Sequence, residues 1–178
     1  EEVNEASGID NLELSIPMEG HTGNTLKNVV NMVSSKQHLI GMALGIEEPF
    51  MDQAFAEDLS IKVTNTVDDF KVAIEELGLE RCRGINFDFE KNTYTFNFPL
   101  DRLQLEKISA FAVLATRINK NAKEQKRTSY KVAQDDNPKF AFRTWLIRLG
   151  MKGNTYKDVR RILLENLEGN GAFRKPPI

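Results

Sequence analysis

A short glycine-containing loop near the N-terminus combines residue types that bind anions. It reads Glu19, Gly20, His21, Thr22 and Gly23, between an alternating apolar segment and a long amphipathic one. Glycine lets a backbone approach a ligand closely, the first N–H groups of a helix attract negative charge, and a histidine supplies a hydrogen-bond donor or a proton. The alternative is a strand-to-helix connection that needs glycine only for its turn, because the loop lacks the lysine of a phosphate loop and the dinucleotide-binding fingerprint.

Cationic side chains recur toward the C-terminus at spacings of three to four residues. Such a stripe can neutralise phosphates, and a helix-turn-helix with a basic second helix can enter a major groove. The alternative is a solvated arm whose cations stabilise helix C-termini. The candidate contacts to a nucleic acid or an acidic partner are Lys123, Lys126, Arg127, Lys157, Arg160 and Arg161.

Residue types that catalyse reactions or bind metals are scarce, because the chain has two histidines and one cysteine. Neither His21 nor His38 lies beside a plausible nucleophile in sequence. Cys82 lies between two arginines, but adjacent side chains on a strand or turn point apart, so we expect an unreactive thiol. One thiol also forms no internal disulfide and completes no usual zinc site. We therefore expect no catalytic set, no metal, no cofactor and a cytoplasmic location.

Charge is distributed unevenly along the 178 residues, although the net charge is only −2. Residues 1–116 contain nine Lys and Arg against twenty Asp and Glu, whereas residues 117–178 contain fifteen against six. No apolar run approaches the length of a membrane span, so we expect no membrane partner. The acidic start lacks a Met, which suggests that residues precede Glu1.

The pattern of apolar residues predicts an α+β fold, with a small antiparallel sheet covered by helices. Alternation of apolar and polar residues predicts strands near 12–17, 61–63, 84–89 and 93–98, the last two forming a hairpin. Helical spacing predicts a long helix over about 24–44, capped by Asn24 or Thr25, and further helices after Pro49, Thr66 and Asp101. Pro138 and a Thr155 cap open the two helices of a C-terminal helical hairpin.

Two segments of the chain match each other in polarity at every position. Residues 12–19 (LELSIPME) correspond to residues 94–101 (YTFNFPLD), with a proline at the same place in both. A long amphipathic helix is predicted after each of them. The sequence therefore suggests an internal strand-Pro-helix repeat.

The almost wholly polar stretch 119–139 predicts a boundary within the chain. Residues 1–118 are expected to form an α+β core with a pseudo-repeat. Residues 119–178 are expected to form a polar basic connector and the helical hairpin.

Three stretches of the chain resemble an uncharacterised family of Firmicutes proteins that is labelled "virulence-related protein" and associated with mobile elements. They are residues 14–40 (LSIPMEGHTGNTLKNVVNMVSSKQHLI), 84–99 (GINFDFEKNTYTFNFP) and 140–174 (FAFRTWLIRLGMKGNTYKDVRRILLENLEGNGAFR). The last stretch is also similar to the ends of other mobile-element proteins, including some labelled amidoligases. The label implies no established reaction.

These features favour a non-catalytic accessory or protein-interaction factor of a mobile element. The alternative is a DNA-binding accessory protein that uses the basic C-terminal third, and an enzyme ranks third. Salt-dependent retention on DNA separates the first two.

Overall fold

A computed structural model describes residues 10–100, 105–173 and 175 of the chain. Within these residues a three-stranded antiparallel sheet combines with α-helices, which confirms the α+β class. The elements in chain order are β1 (Asp10–Pro17), α1 (Gly23–Leu44), α2 (Gln53–Ser60), α3 (Val67–Leu77), β2 (Ile85–Asp88), β3 (Thr93–Leu100), α4 (Leu105–Glu124), α5 (Pro138–Arg148) and α6 (Lys157–Leu164).

The sheet has the strand order β1-β3-β2. Its apolar face carries the alternating residues that the sequence indicates, and Tyr94, Phe96 and Phe98 of β3 are fully buried there. Helices α1 and α4 contact each other, and both contact the sheet. The turn between β2 and β3 uses Asn92 in the left-handed region (φ 55°), a conformation that asparagine tolerates.

The register of β1 against β3 agrees with the internal repeat. Leu14 lies opposite Phe96, and these two residues are also equivalent positions of the matched segments. Leu12 lies opposite Phe98, which is the equivalent of Ile16 in the repeat. Ile16 lies opposite Tyr94, which is the equivalent of Leu12. A local two-fold axis at the Leu14–Phe96 pair therefore relates the two strands, and a long helix follows each strand.

Helix α1 runs through the centre of the protein. Sixteen of its 22 residues are buried, and it contacts α2, α3 and α4. Its N-cap is Thr22, which exchanges hydrogen bonds with Thr25 in a capping box, so the predicted cap at Asn24 or Thr25 is wrong by two or three residues. Gly45 ends the helix with φ 76°, as the sequence predicts.

Two further local predictions are wrong. Residues 61–63 form no strand, because Ile61 caps the C-terminus of α2 and the chain turns there, with the Lys62 N–H donating to the Leu59 carbonyl. The side chains of Ile61 and Val63 are 84% and 69% exposed. Thr155 does not cap the last helix, because Asn154–Tyr156 form a 3-10 turn that leads directly into α6.

Helices α5 and α6 contact each other, so the C-terminal helical hairpin is present. The N-cap of α5 is Asn137, with Pro138 at the first helical position. Helix α4 ends at Glu124, beyond the proposed boundary at residue 118, and α6 contacts it. The boundary itself stays a prediction.

Asp101, after which the sequence predicts α4, lies outside the described residues. No helix in the described part of the chain combines the length and apolarity needed to cross a membrane.

Candidate functional site: a basic cleft on the central helix

The predicted ligand loop connects β1 to α1. The side chains of His21 and Thr22 in this loop form hydrogen bonds with other residues of the protein. His21 is buried, its Nδ1 lies 2.8 Å from Thr25 Oγ1, and its Nε2 lies 2.6 Å from Asn119 Oδ1. The Thr22 hydroxyl accepts from the Thr25 N–H. Glu19 and Gly20 are exposed, and Gly23 is buried. The assignment as a ligand loop stays a prediction.

Lys123, one of the predicted cations, lies beside this loop, with its amine close to Gly20. Burial of the ring is the largest effect on His21 and lowers its pKa below 6.5. The hydrogen bond to Asn119 opposes this shift, and the positive charge of Lys123 adds to it. The native protein therefore favours the neutral imidazole.

The segment after α4 is attached to α1 by two asparagines. Asn28 donates to the carbonyls of Ala122 (3.0 Å) and Gln125 (2.7 Å). Its side-chain oxygen accepts from the Thr128 hydroxyl at 3.2 Å, and the Asn31 amide donates to the Thr128 carbonyl at 3.2 Å. Part of the stretch predicted as a connector or arm thus lies along the central helix.

This attachment creates a cleft of about 660 Å³ that we call the basic cleft. Three segments that are distant in sequence form its walls: the first half of α1, the turn after α2, and the chain after α4. None of the described lining residues is acidic. Its cationic side chains are Lys27, Lys62, Lys126 and Arg127.

The four cations differ in how firmly they are held. Lys27 Nζ donates to the Lys62 carbonyl at 3.0 Å, and burial lowers the pKa of Lys27. Lys62 forms an ion pair of 2.9 Å with Glu76, which compensates part of its charge. Lys126 and Arg127 are exposed and form no ion pair with the described residues. The two exposed cations are therefore the best placed to meet an external anion.

The hairpin cations lie elsewhere. Arg160 donates to the carbonyls of Met151 (2.8 Å) and Gly153 (3.0 Å), so it holds the turn before α6. Lys157 and Arg161 are exposed, and Arg161 lies 4.0 Å from Asp158. Of the six predicted contact residues, the structure thus brings only Lys126 and Arg127 into the basic cleft.

Lys27, Lys62 and Asn31 were missed by the sequence analysis, which used only the apolar positions of α1. A signal was present, because Asn24, Asn28, Asn31, Ser35 and His38 follow one another at spacings of four and three residues. That spacing places them on one face of the helix. Small polar residues that recur on one face of a helix indicate a buried polar contact or a site.

A second cavity of about 670 Å³ lies further along α1. Its walls include Met42, Ile46 and Val132, and Glu47 and Glu48 also line it. Carboxylates repel phosphates, so this cavity does not share the character of the basic cleft. Among the residues that the structure describes, no group of three or more His, Cys, Asp or Glu is placed to hold a metal ion.

Comparison with family models, curated proteins and solved structures found no match to this chain. The resemblance to the mobile-element family stays a hypothesis. A functional proposal rests on the geometry of the basic cleft.

Proposed function

We propose that this chain is a nucleic-acid-binding accessory protein that holds phosphates in the basic cleft. The observation that carries the proposal is the convergence of four cationic side chains, from three separate segments, on a cleft without an acidic lining residue. Like charges repel one another, so an anion in the cleft is most favourable for Lys126 and Arg127, which form no ion pair with the described residues. Phosphates of a polynucleotide supply several such charges at regular spacing.

The proposal differs from groove entry by α6. That helix has eight residues and contacts both α4 and α5, and its Arg160 is engaged with backbone carbonyls of the preceding turn. Two cations of the basic cleft, Lys27 and Lys62, instead belong to residues 1–116, the acidic part of the sequence. A protein whose overall charge is negative can thus present a local positive site.

The test is the salt dependence of binding, measured by fluorescence anisotropy with labelled oligonucleotides. If all four cations contact phosphates, the logarithm of the binding constant falls against the logarithm of salt with a slope of about 3 to 4. The double variant Lys126→Ala/Arg127→Ala is expected to lower this slope by about 2 and to weaken binding across all sequences.

Lys157→Ala/Arg161→Ala is the matched control, because it removes the same charge from exposed positions outside the basic cleft. It is expected to retain nearly the full slope. Equal losses for the two double variants would show only a general charge effect. A loss confined to the control would instead favour the hairpin as the binding element.

An acidic protein partner is the second candidate, in keeping with a protein-interaction factor of a mobile element. It is favoured by the exposed apolar side chain of Val63, which lines the basic cleft, and by exposed Ile61 nearby in sequence. Poly-glutamate of matched charge separates the candidates as a competitor. If it displaces the oligonucleotide at equal charge concentration, the partner is an acidic protein.

A further inference from the structure

Three asparagines of α1 line the basic cleft, and they differ in whether the side-chain oxygen and nitrogen both have hydrogen-bond partners. The side chain of Asn24 is paired with Thr64 and Asn65. The side-chain oxygen and nitrogen of Asn28 both have partners within the protein. Asn31 is only 5% exposed, and its nitrogen donates to the Thr128 carbonyl. Its oxygen is buried and accepts no hydrogen bond from any described residue.

A buried acceptor without a donor is costly, and native proteins rarely keep one without a reason. A phosphodiester at neutral pH carries no O–H group, so it satisfies cations but gives this acceptor no donor. Each nucleobase, in contrast, carries at least one N–H on its pairing edge. A ligand that suits both the cations and Asn31 therefore carries phosphates together with N–H groups.

Tyr130 also lines the basic cleft and is partly exposed. Aromatic side chains beside a positive groove are the usual platforms on which unpaired bases stack, and stacking tolerates any base. In a duplex the pairing edges are already engaged and the bases are stacked on one another. A concave site with a buried acceptor thus suits a strand whose bases are free.

We infer that the basic cleft binds a single-stranded polynucleotide, with one unpaired base stacked on Tyr130 and donating an N–H to the Asn31 side-chain oxygen. This inference rests on the proposed function, because the phosphates of the same strand occupy the cations. The cleft volume of about 660 Å³ lies in the range of sites that enclose small molecules. A short stretch of strand fills such a volume.

The experiment compares four labelled ligands of equal length: oligo-dT, oligo-U, a base-free phosphodiester chain and a blunt DNA duplex. The wild-type protein is expected to bind the preferred base-bearing single strand at least about five-fold more tightly than the base-free chain. The duplex is expected to bind no better than the base-free chain. Whichever of oligo-dT and oligo-U binds with the higher affinity shows whether the natural ligand is DNA or RNA.

Substitutions at two residues test the named contacts. Tyr130→Leu is expected to reduce single-strand binding to the level of the base-free chain, whereas Tyr130→Phe, which keeps the ring, retains the preference. Asn31→Leu is expected to reduce the same preference while leaving the salt slope unchanged. Because Asn31→Leu also removes the bond to Thr128, thermal unfolding of each variant accompanies the binding data.

The outcomes separate the two proposals. If all four ligands bind equally with the expected salt slope, the single-strand inference is wrong and the phosphate-binding proposal stands. If the duplex binds most tightly, the inference is also wrong. If no ligand shows salt-dependent binding, the proposed function itself is overturned.

Discussion

The His21 imidazole donates from Nε2 to the Asn119 side-chain oxygen over 2.6 Å, which joins the loop before α1 to helix α4. The same oxygen accepts from the Tyr94 hydroxyl, also at 2.6 Å. An amide oxygen only accepts, so the neutral ring carries its proton on Nε2, and Nδ1 is left to accept from Thr25. The side chain of Asn119 in α4 thus connects this helix to β3 and to the β1–α1 loop.

Replacement of Asn119 by Leu is expected to destabilise the protein more than replacement of either partner. The change leaves two buried donors without an acceptor, which costs about 2 to 4 kcal/mol of unfolding free energy. Tyr94→Phe removes one donor and is expected to cost about 1 kcal/mol. Urea denaturation measures both values. Equal losses for the two variants would contradict the shared-acceptor arrangement.

The pH dependence of stability is expected to follow the protonation of the two histidines. Burial is the largest cause that lowers the pKa of His21 and of His38, and the charge of Lys36 adds to it at His38. The unfolded chain then binds protons more readily than the native protein. The resulting stability is present above about pH 6.5 and is lost as the pH falls through the lower native pKa values.

NMR titration of the two imidazoles measures this directly. Both native pKa values are expected below 6.5, and both are expected to return to about 6.5 in denaturant. His21→Gln/His38→Gln should flatten the decline in stability between pH 7 and 5. A native pKa above 6.5 at His21 would show that its hydrogen bond to Asn119 outweighs burial.

Gly23→Ala is expected to be more damaging than Gly45→Ala. A Cβ at Gly23 would overlap the backbone carbonyl oxygens of Thr64 and Thr66, so the backbone must shift. At Gly45 nothing lies within 4 Å, and the cost is that of a left-handed conformation, about 1 kcal/mol. We expect a loss above about 2 kcal/mol for Gly23→Ala. Thermal unfolding of the two variants measures these losses of stability. Similar losses would mean that the backbone of residues 64–66 moves aside at little cost in free energy.

The thiol of Cys82 is expected to be inert in the native protein. It is only 4% exposed, and burial raises its pKa to about 12. At pH 8 about one thiol in ten thousand is then ionised, and that fraction is also inaccessible. Labelling with iodoacetamide should therefore be slow at pH 8 and complete after denaturation. Rapid labelling of native protein would show that the 82–85 turn opens readily.

The local elements of this fold follow from short-range patterns. Alternation of apolar residues is sufficient to define β1, β2 and β3, and the Thr66 capping box starts α3 where the sequence predicts. The same reasoning is wrong at Ile61 and Val63. A strand needs a partner strand as well as an alternating pattern, and none of the described strands pairs with residues 61–63.

The basic cleft depends on contacts between segments about a hundred residues apart, such as those of Asn28 with Gln125 and Thr128. Spacing within a segment indicates which side chains share a face, because helix and strand periods are local geometry. It does not indicate which faces meet, since that follows from packing the whole core around α1. No spacing in the sequence singles out Lys27 and Lys62, and only the folded chain places them beside Lys126 and Arg127.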